Sequence, residues 1–290
     1  MIVHLVDGTY ELFRQNFGRS MRDDPRPCAA TIGVLASTIA LFDDGATHVG
    51  VASDHVIESF RNDLWPGYKS SEGMPPELLV QIPLVEDALE AMGVTVWAMV
   101  EHEADDALGA AALVADADER VEQVLIVTPD KDLGQCVRGR RVVQFDRRKR
   151  EILDFDAVVA KFGVEPRSIP DYLGLVGDSS DGFPGLPGWG ARSASSVLAR
   201  YGHLEQIPSA AGQWDVTGLR GAEKLATTLR DNMELAVLFR HIATVVTDID
   251  VGSVDSWAWA GPTDAFEAMA QRLDAPELIG RVAAVAKRRL

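Results

Sequence analysis

Short apolar runs that lead into acidic residues recur four times in the first part of the chain. The runs are residues 1–6, 48–52, 94–100 and 124–127, and the acids that follow them are Asp7, Asp54, Glu103 and Asp130. An apolar run of this length, bounded by turn residues, predicts a buried strand. The pattern therefore predicts four strands, each with a carboxylate at or just beyond the C-terminal end of the strand.

Helical periodicity separates these predicted strands. Five apolar residues recur at intervals of four, three, four and three, namely Leu78, Ile82, Val85, Leu89 and Met92. This spacing predicts one helix over 77–92 with a single buried face, ended by Gly93. Residues 29–42 and 103–115 predict further helices. Residues 58–76 mix charges, aromatics, glycines and prolines, and predict an exposed, partly helical excursion.

The alternation of strands and helices predicts an α/β fold, with a mostly parallel central sheet and helices on both faces. The acids at the strand ends would then meet along one edge of that sheet, where ligands collect in such folds. Residues 141–145 and 151–153 predict a hairpin at the margin of the sheet. From residue 154 onward the pattern is helical, which predicts domains at 1–155 and 156–290.

A glycine- and proline-rich segment at 177–202, GDSSDGFPGLPGWGARSASSVLARYG, adds two more acids, Asp178 and Asp181. Glycine and proline predict a shaped loop, and residues 191–201 predict a helix after it. The start of that helix, with its serines and Arg192, is suited to binding phosphate. The alternative is an ordinary connection between two helices with capping acids.

Net charge and cysteine content restrict the function. The chain carries 28 Lys and Arg against 44 Asp and Glu, a formal charge of −16, so any contact with DNA must be local. Basic residues cluster at 138–150 and at 287–289. Two cysteines, Cys28 and Cys136, indicate a reducing cytoplasm without a disulfide framework or a zinc site. No apolar stretch approaches 18 residues, which argues against export or a membrane span.

Nine acids are candidate metal ligands: Asp7, Asp54, Glu103, Asp105, Asp106, Asp130, Asp132, Asp178 and Asp181. If they converge, each like-charge pair at 4 Å costs on the order of 4 kcal/mol without a cation. Oxygen ligands favour Mg²⁺ or Mn²⁺, and two such ions activate water and stabilise the departing oxygen of a phosphodiester. The competing interpretation is that single acids cap helix N-termini.

Six motifs in order resemble the structure-specific 5′-nuclease family, the bacterial flap endonucleases and 5′→3′ exonucleases that include the N-terminal nuclease domain of DNA polymerase I. They are LVDG at 5–8, Asp54 with SFR at 59–61, PGYK at 66–69, EADD at 103–106, TPDKDL at 128–133 and GDSSDGFPGLPGWG at 177–190. The resemblance covers residues 1–202. It implies a PIN-like core, a helical arch at about 58–77, and a helix-three-turn-helix element at about 170–202.

The resemblance also implies roles for the acids. Asp7, Asp54, Glu103 and Asp105 would hold a first metal. Asp130, Asp132, Asp178 and Asp181 would complete a second site, with Asp105 bridging and Asp106 assisting. Lys69 and Arg61 would contact the scissile phosphate and act in catalysis together with Asp105 and Asp130.

DNA contacts follow from the resemblance in the same way. Tyr68 would stack on a terminal base. The helix-three-turn-helix loop would grip duplex phosphates and bind K⁺ through carbonyls, using Gly185, Gly188, Gly190, Arg192, Ser193, Ser195 and Ser196. Ser70, Ser71 and Glu72 follow Lys69, where many bacterial relatives have a second basic residue.

The implied function is metal-dependent cleavage at 5′ ends and at flap junctions of nicked or branched DNA, including RNA primer ends, in replication and repair. We expect a cytoplasmic monomer without a fused polymerase domain. Two alternatives remain open: a module that binds branched DNA without cutting it, and a PIN-type ribonuclease.

Overall fold

The computed structural model of the protein describes residues 1–18, 24 and 26–289. The strands are β1 (Ile2–Asp7), β2 (His48–Asp54), β3 (Thr95–Met99), β4 (Gln123–Val127), β5 (Val142–Asp146) and β6 (Glu151–Leu153). The helices of the first half are α1 (Gly8–Asn16), α2 (Ala29–Asp43), α3 (Phe60–Leu64), α4 (Pro76–Leu79), α5 (Gln81–Ala91) and α6 (Ala104–Ala117). Those of the second half are α7 (Phe155–Phe162), α8 (Ile169–Val176), α9 (Ala191–Tyr201), α10 (Ala222–Asp231), α11 (Met233–Ala243), α12 (Phe266–Arg272) and α13 (Glu277–Arg289).

The chain forms two compact units, and it passes between them more than once. The first unit contains Met1–Ile57, Ser71–Thr128 and Val246–Leu290, and the second contains Glu58–Ser70 and Pro129–Val245. No helix in the described ranges combines the length and the apolar character that a bilayer crossing needs.

The first unit is built on a parallel sheet with the strand order β3-β2-β1-β4. Asp7 lies opposite Ala52 in the register, so the carboxyl ends of β1 and β2 lie side by side. Every residue of β2 after His48 is buried, and so are the last three of β1. Since successive side chains of a strand point to opposite faces, both faces of this sheet are covered. The predicted sheet with helices on both faces is confirmed.

The last 45 residues complete the core of the first unit. Trp257 is fully buried and packs edge to face against Trp97, with ring centroids 5.5 Å apart. Trp259 stacks on Phe42 and donates its indole N–H to the carbonyl of Met92. Sequence analysis assigned no role to this stretch, because its packing partners Phe42, Met92 and Trp97 lie far away in the sequence.

The prediction of a single helix over 77–92 is wrong. The structure has two helices there, α4 and α5, with Val80 between them. The physical reason is Pro83, which has no N–H to donate to the Leu79 carbonyl four residues earlier. The apolar spacing continues across the break, so the buried face is preserved. Helix α1 was not predicted: Asp7, which ends the first apolar run, also caps a helix that begins at Gly8.

The second unit contains the antiparallel hairpin of β5 and β6 and a helical core. The predicted hairpin is confirmed. Helices α8 and α9 flank the glycine- and proline-rich loop 177–190, and Phe183, Leu186 and Trp189 of that loop are buried in the core. The loop is therefore a packed part of the unit.

Two glycines of this loop offer a matched test of its backbone. Gly185 and Gly188 both have positive φ, +67° and +83°. A Cβ on Gly185 would lie 2.3 Å from the Gly177 nitrogen, whereas one on Gly188 meets nothing within 4 Å. We expect Gly188→Ala to cost about 1–2 kcal/mol of unfolding free energy from φ alone, and Gly185→Ala to cost more than about 4 kcal/mol. Urea unfolding of the two variants measures the difference, and equal costs would contradict the packed loop.

Candidate metal centre and nucleic-acid interface

Two acids lie at adjacent strand ends in the first unit. The Oδ1 atom of Asp7 accepts the amide of Tyr10 at 2.8 Å, and its Oδ2 accepts the Thr128 hydroxyl at 3.0 Å. Asp54 Oδ1 accepts the amide of Ala104 at 2.8 Å. These contacts cap α1 and α6, so the capping interpretation holds for both residues. Each carboxylate oxygen has a second lone pair, so capping leaves both side chains able to bind a cation.

The acids of EADD occupy different positions at the start of α6. Glu103 is the N-cap residue and is buried, while Asp105 in the first turn is half-buried. Asp106 is fully buried, and its two oxygens accept the amides of Glu103 at 2.9 Å and of Val246 at 2.8 Å. Asp106 thus ties the helix start to the final segment of the unit, which is a structural role that the motif did not reveal.

Three acids of the second unit converge. Asp132, Asp178 and Asp181 each offer a carboxylate oxygen, and these oxygens lie within 4.8 Å of one another. Asp130 lies next to this acid cluster in the chain, and its Oδ1 accepts the Asp132 amide at 3.0 Å. The Oδ1 atom of Asp132 is buried and has no hydrogen-bond partner among the described residues. A buried carboxylate oxygen without a donor is costly, and a bound cation would offset that cost.

Two lysines contact the acid cluster. The ammonium of Lys131 lies 2.5 Å from Asp178 Oδ2, and that of Lys69 lies 3.5 Å from Asp181 Oδ1. The other oxygen of Asp178 accepts the amide and the hydroxyl of Ser180. The backbone N–H of Lys69 also donates to the Asp181 carbonyl at 3.0 Å. Lys131 was not singled out in the sequence, although it stands between two of the candidate ligands.

Burial and neighbouring charges shift the pKa values of two carboxyls in the acid cluster, those of Asp132 and Asp178. Burial, with the charges of Asp130, Asp181 and Asp178 acting in the same direction, raises the pKa of Asp132 well above its usual range. Burial also opposes ionisation of Asp178, but hydrogen bonds from Lys131 and Ser180 outweigh it and lower the pKa of that carboxyl. Without a metal, protonation is therefore favoured at Asp132 and disfavoured at Asp178.

The donor set of the acid cluster suits a hard divalent cation. All its candidate ligands are carboxylate oxygens, one of them buried without a partner, and Mg²⁺ and Mn²⁺ prefer oxygen ligands. Such an ion would offset the repulsion that raises the pKa of Asp132. Carboxylates of the first unit provide the same kind of ligand at the ends of β1 and β2.

The side chains of Arg61 and Tyr68 are buried in the second unit. Arg61 is 3% exposed, and its guanidinium donates to the carbonyls of Ile242 at 2.7 Å and Thr244 at 3.1 Å. Tyr68 belongs to the hydrophobic core, with the Lys69 ammonium 5.6 Å from its ring centre. Both residues support the segment that carries Lys69. Burial leaves Tyr68 no exposed ring face for a base, so neither residue is retained in the proposed interface.

A groove of about 750 Å³ lies in the second unit between the starts of α9 and α10. One wall contains five of the predicted DNA-binding residues, Gly188, Gly190, Arg192, Ser193 and Ser196. Two others lie elsewhere. Gly185 is buried against the backbone of Gly177, and Ser195 packs at Gly163.

The second wall of the groove was not predicted. It consists of residues 217–221 with Lys224 and Leu225, and it includes the cation Arg220. No acid lines the groove, and within the described residues neither these two cations nor Arg192 makes an ion pair. The first amides of both helices have no intrahelical acceptor and carry partial positive charge. The signal that sequence analysis overlooked is TGLRGAEK at 217–224, a second glycine-rich turn that leads into a helix.

Comparison with known proteins places the chain in a family. The profile described as "5′-3′ exonuclease, N-terminal resolvase-like domain" matches residues 2–163, and "5′-3′ exonuclease, C-terminal SAM fold" matches residues 164–265. The chain belongs to the 5′-3′ exonuclease family. The family predicted from the six motifs is confirmed.

Individual members of the 5′-3′ exonuclease family cover most of the chain. A 5′-3′ exonuclease of Buchnera aphidicola is 32% identical over 251 residues, 85% of this chain and 82% of that protein. DNA polymerase I of Mycobacterium bovis is 33% identical over 240 residues, 81% of this chain. The chain spans about a quarter of the length of that polymerase.

Solved structures show the fold of the 5′-3′ exonuclease family over nearly the whole chain. A bacteriophage T5 flap endonuclease, solved as a complex with DNA and metal ions, aligns with a TM-score of 0.64 at 20% identity. The alignment covers 96% of this chain and 100% of that chain. The likeness is one of fold, and it agrees with the α/β sheet and the helical C-terminal part predicted from the sequence.

The opposite pKa shifts of Asp132 and Asp178 predict opposite effects on metal-free stability. The raised folded pKa of Asp132 means that its favourable contribution is lost as pH rises through that pKa. In EDTA at pH 8 we therefore expect Asp132→Asn to raise the unfolding free energy by about 1–3 kcal/mol. This gain should shrink as the pH falls through the raised pKa, and thermal unfolding across pH measures it.

Asp178→Asn is the matched control. The lowered pKa of Asp178 contributes stability above its unfolded value, and that contribution is lost as pH falls through the folded pKa. We expect this variant to lose about 1–3 kcal/mol at pH 8, because its hydrogen bond with Lys131 is weakened. A loss of stability in both variants would contradict the charge balance described for the acid cluster.

Proposed function

We propose that this chain is a metal-dependent 5′→3′ exonuclease and flap endonuclease that hydrolyses phosphodiesters in branched DNA. One observation supports this most strongly: a chain of the 5′-3′ exonuclease family has three clustered carboxylates, and one buried oxygen among them has no donor in the described part of the chain. A bound cation would relieve the repulsion within such a cluster, and divalent cations are common catalysts of phosphodiester hydrolysis. Removal of flaps and RNA primers in replication and repair is the corresponding biological role.

The proposed ligands form two groups. Asp7, Asp54, Glu103 and Asp105 of the first unit would hold one ion, and Asp130, Asp132, Asp178 and Asp181 of the second unit would hold another. Mg²⁺ or Mn²⁺ is the proposed metal, because the ligands are oxygens. Bound divalent ions supply the Lewis acidity that activates water and stabilises charge on the departing oxygen.

The chain's own residues orient the substrate in this proposal. Lys69 is the proposed contact to the scissile phosphate, since its ammonium lies beside Asp181 and is 28% exposed. Arg61 and Tyr68 hold the backbone around Lys69 through their buried contacts. The predicted domains remain part of the proposal: the nuclease core at 1–155 carries Lys69 and most of the ligands, and the helical part at 156–290 adds Asp178, Asp181 and the groove.

The groove between α9 and α10 is the proposed site for the DNA backbone. Its two helix starts suit phosphates, and so do its three cations, which make no ion pair among the described residues. Because the chain as a whole carries a charge of −16, DNA is expected to bind at a local positive surface of this kind. The K⁺ that we expect at the 177–190 loop would help to hold this surface in place. Cys28 and Cys136 form no disulfide within the described residues, which supports the proposal of a reducing, cytoplasmic environment.

Cleavage of labelled DNA tests the proposed function. A 5′-labelled flap duplex and a nicked duplex are incubated with Mg²⁺, Mn²⁺ or EDTA, with single-stranded RNA as competitor. We expect metal-dependent products near the junction and little competition by RNA. Binding without cleavage would favour the non-cleaving module, and preferential cleavage of the RNA would favour the PIN-type ribonuclease.

Asp130→Ala and Asp181→Ala test the ligand assignment. We expect near-total loss of cleavage, at least 100-fold, because each substitution removes a proposed metal ligand. Folding and DNA binding in Ca²⁺ should be retained, as measured by circular dichroism and fluorescence anisotropy. Asp87→Ala is the control, since Asp87 is an exposed acid on α5 that belongs to neither proposed ligand group. Wild-type rates in the Asp130 and Asp181 variants would show that the assignment is incorrect.

Arg192→Gln and Lys224→Gln test the two walls of the groove. Each variant should weaken duplex binding and reduce the slope of log affinity against log salt by about 0.9, as expected for one lost phosphate contact. Metal-free binding is measured by anisotropy at several salt concentrations. Arg230→Gln, on the exposed side of α10, should leave the slope unchanged. Identical slopes for the wild type and all three variants would exclude the groove as the binding surface.

A further inference from the structure

Asp178 differs from Asp132 because donors of the chain itself occupy both of its oxygens. Oδ1 accepts the amide of Ser180 at 2.9 Å and its hydroxyl at 2.6 Å, while Oδ2 lies 2.5 Å from the Lys131 ammonium. Asp132, in contrast, has an oxygen without a partner among the described residues. The positive charge of Lys131 therefore occupies a position at Asp178 where a bound cation would otherwise interact.

The backbone around Asp178 restricts which partner can move. Asp178 and Phe183 exchange both backbone hydrogen bonds, at 2.8 and 3.0 Å, and Gly177 is held closely against Gly185. The side chain of Asp178 is 2% exposed. Lys131 has a flexible four-carbon stem and an exposed fraction of 32%. Release of this ion pair must therefore occur by movement of the lysine.

The charge of Lys131 acts on the whole acid cluster. Lys131 lies between Asp130 and Asp132 in the chain, and its ammonium lies 2.5 Å from Asp178 Oδ2. A fixed positive charge within a few ångströms of a ligand set disfavours a second cation there. The same charge relieves the repulsion among the carboxylates when no metal is bound.

We propose that Lys131 is an internal counter-cation that competes with the divalent metal for Asp178 and thereby lowers the metal affinity of the acid cluster. This rests on the proposed metal-dependent function. Metal binding displaces the ammonium from Oδ2, and the ammonium returns when the metal leaves. Lys131 is thus a residue that sets metal affinity, and it is distinct from the ligands themselves.

Calorimetric titration with Mn²⁺ tests this role without measuring cleavage. We expect Lys131→Met to bind Mn²⁺ roughly tenfold more tightly than the wild type, because the competing charge is absent. Lys131→Gln should also bind more tightly, since it keeps a donor for Asp178 and loses only the charge. This second variant keeps the test valid if Lys131→Met folds poorly. Lys131→Arg keeps the charge and should bind no more tightly than the wild type.

Matched controls separate the outcomes. Lys149→Met removes another lysine of the second unit that faces an aspartate, Asp146, at 3.8 Å, and it should leave Mn²⁺ affinity unchanged. Asp181→Asn removes one carboxylate of the acid cluster. Heat that this variant loses relative to the wild type therefore comes from Mn²⁺ binding at the cluster. If the wild type and Asp181→Asn give the same heat, the proposed metal site itself is wrong. If the wild type binds at the cluster but Lys131→Met and Lys131→Gln bind equally well or more weakly, the competition proposal is overturned.

Thermal unfolding provides a second readout. In EDTA, Lys131→Met should melt below the wild type, because Asp178 stays buried without its cation. Saturating Mn²⁺ should raise its melting temperature by more than it raises that of the wild type. An equal shift in both proteins would contradict the competition, since it would show that Lys131 does not oppose the metal.

Discussion

Negative charge that is buried and incompletely compensated is the constraint on which the second unit depends. Asp132, Asp178 and Asp181 come from two segments of the chain, and their oxygens converge within 4.8 Å. Asp178 tolerates this position because Ser180 and Lys131 donate to it, whereas Asp132 keeps an oxygen without a partner among the described residues. Repulsion of this kind is tolerated in a folded protein where a bound cation is part of the working state.

The glycine- and proline-rich loop connects this constraint to the surface of the unit. Its positive-φ glycines allow backbone segments to approach so closely that a Cβ at Gly185 would lie 2.3 Å from the Gly177 nitrogen. The same loop buries Phe183 and Trp189 in the core and ends where α9 begins. Packing of one short segment thus positions acids at one end and a helix start suited to phosphate at the other.

The distribution of charge explains how an acidic chain can present a surface for a polyanion. The net charge of −16 describes the whole chain, but the groove between α9 and α10 is lined by cations and helix starts without any acid. Lysines also lie within the acid cluster, where Lys69 and Lys131 contact Asp181 and Asp178. Function in such a protein depends on local electric fields, which the total charge does not describe.

The sequence by itself determined the family, the parallel sheet, the hairpin and the helix at 191–201, because strand runs and local motifs depend on neighbours in the chain. It also brought out all three acids of the cluster as candidate ligands. Only the tertiary structure revealed the burial of Arg61 and Tyr68, the structural ties of Asp106, the cationic wall at Arg220 and Lys224, and the ion pair of Lys131 with Asp178. The physical reason is that a side chain's partners and its exposure depend on segments far away in sequence, to which periodicity and spacing are insensitive.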